Sequence, residues 1–152
     1  MKVLKSIGML IFAGFSLNLQ AEEAAKPVEM TVYRSPTCGC CEIWLDHVKE
    51  SGIKIKDVVS DDMQAIKAKL GLPDKLASCH TAVIDGYVIE GHVPAADIQR
   101  LLQTKPKVLG IAAPGMPMGS PGMEVGNKKD EYEVKSFDKD GHFEVFASHG
   151  GS

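Results

Sequence analysis

The chain has 152 residues, of which 44% are hydrophobic and 24% are charged, and its formal net charge at pH 7 is −3. This length and composition predict one globular domain with a core of ordinary size, and they exclude a disordered chain. A mildly acidic protein has no long-range attraction for nucleic acid or for anionic lipid. The sequence therefore predicts neither nucleic-acid binding nor attachment to a membrane surface.

The first residues have the pattern of a secretory signal peptide. Lys2 and Lys5 precede an uncharged, mostly apolar run over residues 6–19, and acidic residues follow it. The run is shorter than the roughly twenty apolar residues that a membrane-spanning helix needs. We therefore predict a signal peptide over residues 1–21, export of the chain, and no membrane anchor after cleavage. Cleavage removes two Lys and no acidic residue, which leaves a net charge of −5.

Strand and helix patterns alternate after this segment. Residues 30–33 are rich in β-forming side chains and predict the first strand. Apolar residues then recur at helical spacing over residues 43–48, and Gly52 ends this first helix. Residues 53–59 predict a second strand, and a second helix begins after it at Asp61.

A hairpin and a third helix follow. Asp85 and Gly86 form a two-residue turn between the short apolar runs of residues 82–84 and 87–89, and Pro94 begins the third helix. The resulting order β-α-β-α-β-β-α is that of a thioredoxin or glutaredoxin core. We therefore predict an α/β, thioredoxin-like fold in which a cysteine-rich motif lies where the first strand meets the first helix.

The last third of the chain changes character. Residues 109–126 are rich in Gly, Pro and Met, and they predict an irregular loop. Residues 132–136 and 142–147 alternate around a polar turn and predict a C-terminal β-hairpin. The predicted organisation is therefore a thioredoxin-like domain over residues 30–125 and a C-terminal hairpin extension over residues 126–152.

Three of the four cysteines lie within four residues. Cys38 and Cys41 form a Cys-x-x-Cys pair, and Cys40 adds a third thiol at the start of the first helix. The free N–H groups and the dipole of a helix N-terminus favour thiolate, which is both a nucleophile for disulfide exchange and a soft metal ligand. Crowded thiolates favour Cu(I), with room for more than one ion, over a single tetrahedral Zn²⁺. The alternative is a buried disulfide beside an inert cysteine.

Three more side chains are candidate ligands because the predicted fold brings them close to this motif. Cys79 and His80 directly precede the third strand, in the loop that packs beside the cysteine motif of thioredoxin-like proteins. His92 follows the hairpin, at a corner near the same end of the domain. The alternatives are a small buried cysteine, a hydrogen-bonded loop histidine and a surface histidine.

Three methionines of the Gly/Pro-rich loop are the last candidate ligands. Met116, Met118 and Met123 do not have the helical spacing of core residues. Thioether sulfur is soft and uncharged, so it selects Cu(I) over harder ions. The alternative is that these adaptable side chains cover apolar surface.

Together these motifs resemble the exported CopG-like copper-resistance proteins, a bacterial family first catalogued as a domain of unknown function. The resemblance extends over residues 30–125. It is carried by Pro36-Thr37-Cys38-Gly39-Cys40-Cys41, Trp44, His47, Ser78-Cys79-His80-Thr81, Gly86-Tyr87, Glu90-Gly91-His92-Val93-Pro94 and Pro114-Gly115-Met116-Pro117-Met118-Gly119-Ser120-Pro121-Gly122-Met123-Glu124. It implies a periplasmic thioredoxin-like fold and association with copper-efflux or other periplasmic copper-handling proteins. It also implies copper ligation by Cys38, Cys40, Cys41 and Cys79, with His and Met ligands that vary.

Two functions are compatible with the sequence. The first is a periplasmic copper-binding protein that sequesters, transfers or redox-converts copper and contributes to copper resistance. The second is a thiol–disulfide oxidoreductase that uses Cys38 and Cys41, although the substrate-shaping cis-Pro of such enzymes has no counterpart before the third strand. Paired thiols donate electrons, so reduction of Cu(II) coupled to disulfide formation is also available to Cys38 and Cys41. A structural zinc protein does not fit the ligand spacing.

Overall fold

A seven-stranded sheet and three α-helices make up residues 28–150, the part of the chain that this computed structural model describes. The predicted signal peptide over residues 1–21 lies outside the described residues. The strands are β1 (Glu29–Arg34), β2 (Lys54–Val59), β3 (His80–Ile84), β4 (Tyr87–Glu90), β5 (Gly110–Ala112), β6 (Tyr132–Phe137) and β7 (Phe143–His149). The helices are α1 (Gly39–Glu50), α2 (Met63–Lys69) and α3 (Ala95–Thr104), and a short 3₁₀ turn spans Asp74–Leu76. The α/β class predicted from the sequence is confirmed.

The strand order in the sheet is β2-β1-β3-β4-β5-β6-β7. The β1–β2 and β4–β5 pairs are parallel, because α1 and α3 return the chain to the same end of the sheet. The other neighbours are antiparallel. In the β1–β3 pair, Arg34 at the end of β1 lies opposite His80 at the start of β3. The cysteine motif that follows β1 is therefore close to the Cys79–His80 segment, where β3 begins.

The prediction of an irregular loop is wrong at residues 110–112, which form β5. All three residues of β5 are buried, and a strand this short has no alternation for a sequence pattern to show. Gly110 fits because a Cβ atom there would collide with the carbonyl of Val88 on the neighbouring strand. Through β5, the β6–β7 hairpin joins the same sheet as the rest of the chain.

The main hydrophobic core lies between α1, α3 and the central strands. Trp44 and Val48 of α1 are fully buried, as are Ile98 and Leu101 of α3. Trp44 also fixes the helix through its Nε1–H, which donates to the Val93 carbonyl at 2.9 Å. None of the helices in residues 28–150 has the length and apolarity needed to cross a bilayer.

Candidate metal centre

The N-terminus of α1 gathers three sulfur atoms in one turn. Cys38 occupies the N-cap position, and Cys40 and Cys41 lie in the first turn of the helix. Cys41 is buried, whereas Cys38 and Cys40 are half-buried. The predicted position of the motif, at the junction of the first strand and first helix, is therefore what the structure shows.

Cys38 and Cys41 are joined by a disulfide bond, while Cys40 and Cys79 are free thiols. Cys40 Sγ lies 3.5 Å from Cys38 Sγ. The Sγ atoms of all four cysteines lie within 4.8 Å of one another. Reduction of the disulfide therefore places four thiols in a volume that a small number of metal ions can bridge.

Cys79 also belongs to a second group of ligand atoms. Its Sγ lies 3.1 Å from Nε2 of His92 and 3.4 Å from Nδ1 of His80. Ligand atoms of these three residues again lie within 4.8 Å of one another. The four-thiol group and the Cys-His-His group are thus adjacent and share one sulfur. Burial, followed by the neighbouring Cys40, raises the pKa of the Cys79 thiol to about 11.

His80 is fully buried and incompletely hydrogen-bonded. Its ring lies against Trp44, with centroids 4.2 Å apart, and edge-on to His92. Its Nε2 is the only buried side-chain nitrogen or oxygen in residues 28–150 without a hydrogen-bond partner. Burial, then the charges of His92 and Lys67, lowers the pKa of His80 well below its usual value. The ring is therefore neutral and retains an unused polar atom, which costs free energy in the absence of a partner.

His92 is also fully buried, so the surface alternative for this residue is wrong. Its Nδ1 lies 2.7 Å from the carbonyl oxygen of Pro121. A carbonyl only accepts, so Nδ1 carries the proton and Nε2 presents its lone pair toward Cys79 Sγ. A backbone carbonyl that fixes the tautomer is a common support for a metal-ligating histidine. Burial lowers the pKa of His92 despite this hydrogen bond.

The Gly/Pro/Met-rich loop packs directly on these residues. Gly122 has a φ of +86°, and a Cβ atom there would lie 2.9 Å from the Cys40 carbonyl oxygen and 3.2 Å from Nδ1 of His92. Only glycine fits this approach without strain. The methionines of the loop differ in exposure: Met118 and Met123 are half-buried, whereas Met116 is 54% exposed.

The loop is ordered by its own hydrogen bonds. The Gly119 amide donates to the Met123 carbonyl at 2.9 Å, and the Met123 amide donates to the Ser120 carbonyl at 2.8 Å. Asp130 closes the loop from the other side, since its side chain accepts from the Met118 amide at 3.0 Å and its own amide donates to the Met118 carbonyl at 2.8 Å.

The structure thus brings together the predicted cysteine and histidine ligands, namely Cys38, Cys40, Cys41, Cys79, His80 and His92, while the three predicted methionines lie in the loop that packs on them. Sequence reasoning missed three supporting features. The Pro121 carbonyl is a backbone group, and no residue type marks it. Lys67 and Glu90, which form a buried ion pair beside this site, are 23 positions apart, and only the fold pairs them.

The fold and the site define an α/β protein with a thiol-rich cluster suited to soft metal ions. A family described as a protein of unknown function, DUF411, matches residues 76–123. Two solved structures, named "Copper resistance protein copG- Form 2" and "Copper resistance protein copG- Form 1", are each 46% identical with a TM-score of 0.79. They match 82% and 83% of this chain and 100% of their own chains. No curated protein matches the chain. The chain belongs to the CopG-like copper-resistance family.

Proposed function

We propose that this chain is a periplasmic copper-binding protein that sequesters, transfers or redox-converts copper and so contributes to copper resistance. The observation that carries the proposal is the pair of adjacent ligand groups that share Cys79. The two related structures are named as copper resistance proteins, which supports the same metal.

The donor set fits Cu(I). Thiolate and imidazole are soft or intermediate ligands, and a cluster of them without carboxylates disfavours Mg²⁺ and Ca²⁺. The buried His80 ring supports a bound cation, because its Nδ1 lies 3.4 Å from Cys79 Sγ and its Nε2 has no hydrogen bond that would give the ring a purely structural role. The two groups around Cys79 support more than one ion, since a thiolate can bridge two metals.

The disulfide supports a redox role for the same site. Reduced Cys38 and Cys41 hold two electrons, which they can give to two Cu(II) ions. The products are two Cu(I) ions, two protons that the thiols release to solvent, and the Cys38–Cys41 disulfide, which the structure contains. An external thiol reductant would then restore the two thiols. Copper is the substrate of this reaction, and the remaining soft ligands, Cys40, Cys79 and the two histidines, would retain the product.

We also propose that the fold is thioredoxin-like. The supporting features are the β1-α1-β2 unit with its parallel pair, the antiparallel β3–β4 hairpin beside it, and the cysteine motif at the start of α1. Export through the predicted signal peptide would bring the protein to the periplasm, where copper-efflux and other copper-handling proteins are the expected partners.

A thiol–disulfide oxidoreductase is the second candidate function, and the disulfide at the N-terminus of α1 is the observation that favours it. The two functions make different demands on Cys40, because exchange needs only the Cys38–Cys41 pair. Cys40→Ser should therefore keep disulfide exchange with a protein substrate if the second function is correct. If copper binding is the function, the same variant should bind fewer Cu(I) ions or bind them more weakly.

The test is a chelator competition with the reduced protein lacking residues 1–21, first with Cu(I) and then with Zn²⁺ present at equal concentration. We expect Cu(I) to displace Zn²⁺ from the wild-type protein and Cys40→Ser to retain less Cu(I). Retention of Zn²⁺ against Cu(I) would overturn the copper assignment. Unchanged Cu(I) binding in Cys40→Ser would remove the middle thiol from the site.

A further inference from the structure

Two oppositely charged side chains are buried together beside the segment that carries Cys79 and His80. Lys67 of α2 is only 9% exposed, and Glu90 at the end of β4 is fully buried. Lys67 Nζ and Glu90 Oε1 form an ion pair, and Lys67 Nζ also donates to Thr81 Oγ1 at 2.8 Å. The pair therefore links α2 to the sheet next to the candidate metal centre.

The Glu90 carboxylate holds both ends of the two-residue ligand segment. Its Oε1 accepts from the Ser78 amide at 2.6 Å, and its Oε2 accepts from the Thr81 hydroxyl at 2.6 Å. Ser78 directly precedes Cys79, and Thr81 directly follows His80. The Glu90 carboxylate thus fixes the backbone at Ser78 and the side chain of Thr81, on the two sides of the candidate ligands Cys79 and His80.

The same network reaches His92. Thr81 and Glu90 face each other in the β3–β4 ladder, and the Gly91 amide donates to the His80 carbonyl at 3.0 Å. His92 follows Gly91 directly. The residues that hold Cys79 and His80 are therefore continuous with the segment that carries the third ligand of the Cys-His-His group.

Stability alone does not explain a buried ion pair at this position. Apolar side chains of similar volume stabilise a protein core as well as a buried ion pair does, or better. A satisfied polar network instead restricts its neighbours to one geometry. The ligand atoms of a metal site must be held in one geometry. The side chains that hold them contact the ligand residues and not the metal itself.

We propose that Lys67 and Glu90 are positioning residues of the copper site, which hold the Cys79 sulfur and the His80 ring where both can share a soft metal ion with His92. This inference rests on the proposed copper-binding function.

The main test is the double variant Lys67→Leu/Glu90→Gln, which removes both charges, adds no sulfur ligand, and leaves an amide oxygen to accept from Ser78. Asp97→Asn is the matched control: Asp97 is 6% exposed and pairs with His149 Nε2 at 2.6 Å, apart from the copper ligands. We expect the double variant to bind Cu(I) about 10- to 100-fold more weakly than the wild type in a chelator competition. Asp97→Asn should bind Cu(I) as the wild type does.

A milder pair of variants keeps the inference testable if the double variant does not fold. Thr81→Val removes the hydroxyl at constant shape, whereas Thr81→Ser keeps the hydroxyl. We expect weaker Cu(I) binding in Thr81→Val and near wild-type binding in Thr81→Ser. In the metal-free, disulfide-bonded protein, iodoacetamide should alkylate Cys79 faster relative to Cys40 in Thr81→Val only, as measured by peptide mass spectrometry.

The outcomes separate the two proposals. A wild-type protein that does not retain Cu(I) would overturn the proposed function and this inference together. If the wild type retains Cu(I) and the double variant binds it with unchanged affinity, this inference alone is overturned. If the double variant does not fold, unchanged Cu(I) affinity in Thr81→Val has the same meaning. An equal loss in Asp97→Asn would also overturn it, because general destabilisation would then account for the effect.

Discussion

Two regions within residues 28–150 have potential metal ligands whose atoms lie within 4.8 Å of one another, and these regions differ in their surroundings. The metal centre at the N-terminus of α1 and the start of β3 combines the four-thiol group with the Cys-His-His group, and its His80 and His92 are fully buried. The group in the β6–β7 turn consists of Asp138, Asp140 and His142, of which the last two are exposed.

The potential ligand atoms of the turn group already form hydrogen bonds that stabilise the turn. Asp138 Oδ1 accepts from the amides of Asp140 at 2.8 Å and His142 at 3.0 Å, and its Oδ2 lies 3.2 Å from Nδ1 of His142. These bonds are those of an Asx-type turn that closes a hairpin. By contrast, Nε2 of His80 has no such hydrogen bond. Close ligand atoms therefore indicate a metal site when they are buried, when they prefer the same kind of metal ion, and when they do not already hydrogen-bond to the local backbone.

The largest effect should come from Cys79→Ser, because Cys79 is the sulfur that the four-thiol group and the Cys-His-His group share. Serine is close in size but offers a hard oxygen, so the fold should persist while Cu(I) affinity falls by more than ~100-fold, beyond the range for supporting residues. The matched control is Asp138→Asn/His142→Ala in the turn group. A Cu(I) competition in which the control loses as much as Cys79→Ser would contradict the comparison.

A second test uses the unsatisfied nitrogen of His80. His80→Phe keeps a ring against Trp44 and removes the buried polar atom, so the metal-free protein should gain about 1–3 kcal/mol in free energy of unfolding while binding Cu(I) more weakly. His92→Phe should instead lose about 1–3 kcal/mol, because the carbonyl oxygen of the buried Pro121 loses its hydrogen-bond partner.

Urea unfolding of the two metal-free variants with unchanged m-values would measure this difference. If His80→Phe and His92→Phe lose the same free energy of unfolding, the unpartnered Nε2 of His80 does not destabilise the metal-free protein.

The third test addresses the close approach of the loop to the site. Gly122→Ala places a Cβ against the Cys40 carbonyl and His92 at a φ of +86°, whereas Gly126→Ala meets nothing within 4 Å at a φ of +59°. Left-handed backbone alone costs about 1–2 kcal/mol, so Gly126→Ala should lose that much stability and keep its Cu(I) affinity. Gly122→Ala should lose more stability and also bind Cu(I) several-fold more weakly, as urea unfolding and chelator competition would show. Equal behaviour of the two variants would mean that the loop does not support the site.

Sequence patterns predicted the parts of this site that depend on residue type and local order. Three cysteines in one turn identify soft ligands, and the order of strands and helices brings residues 79–80 toward the motif. The register of Arg34 opposite His80 then places the two segments together. Local patterns also located β1 to β4 and all three helices, since each has a visible periodicity or turn signal.

The remaining features depend on contacts that no local pattern encodes. β5 is too short to alternate, and its burial comes from β4 and β6 on either side. The hydrogen bond between His92 and Pro121 spans 29 positions and uses a main-chain oxygen. Lys67 has the appearance of an ordinary helix-surface lysine, and only the packing of α2 on the sheet buries it against Glu90.

The smallest effect should come from the methionines. Replacing Met116, Met118 and Met123 with Leu keeps apolar volume, so the free energy of unfolding of the metal-free protein should change by less than about 1.5 kcal/mol. Loss of thioether sulfur should weaken binding of Cu(I) more than that of Cu(II), because thioether is the softer ligand. The single variant Met116→Leu should have no effect, since this side chain is 54% exposed, whereas Met118 and Met123 are half-buried in a loop that contacts the site.

Chelator competition with both oxidation states, beside urea unfolding of each metal-free protein, measures these effects of the methionines. Equal Cu(I) retention by wild type and triple variant would show that the loop covers the site without supplying ligands. A loss of stability without copper would instead show that the methionines belong to the core. A loss confined to Cu(I), with the Met116→Leu protein unchanged, would assign the ligand role to Met118 and Met123, which are the half-buried methionines of the loop that packs on the site.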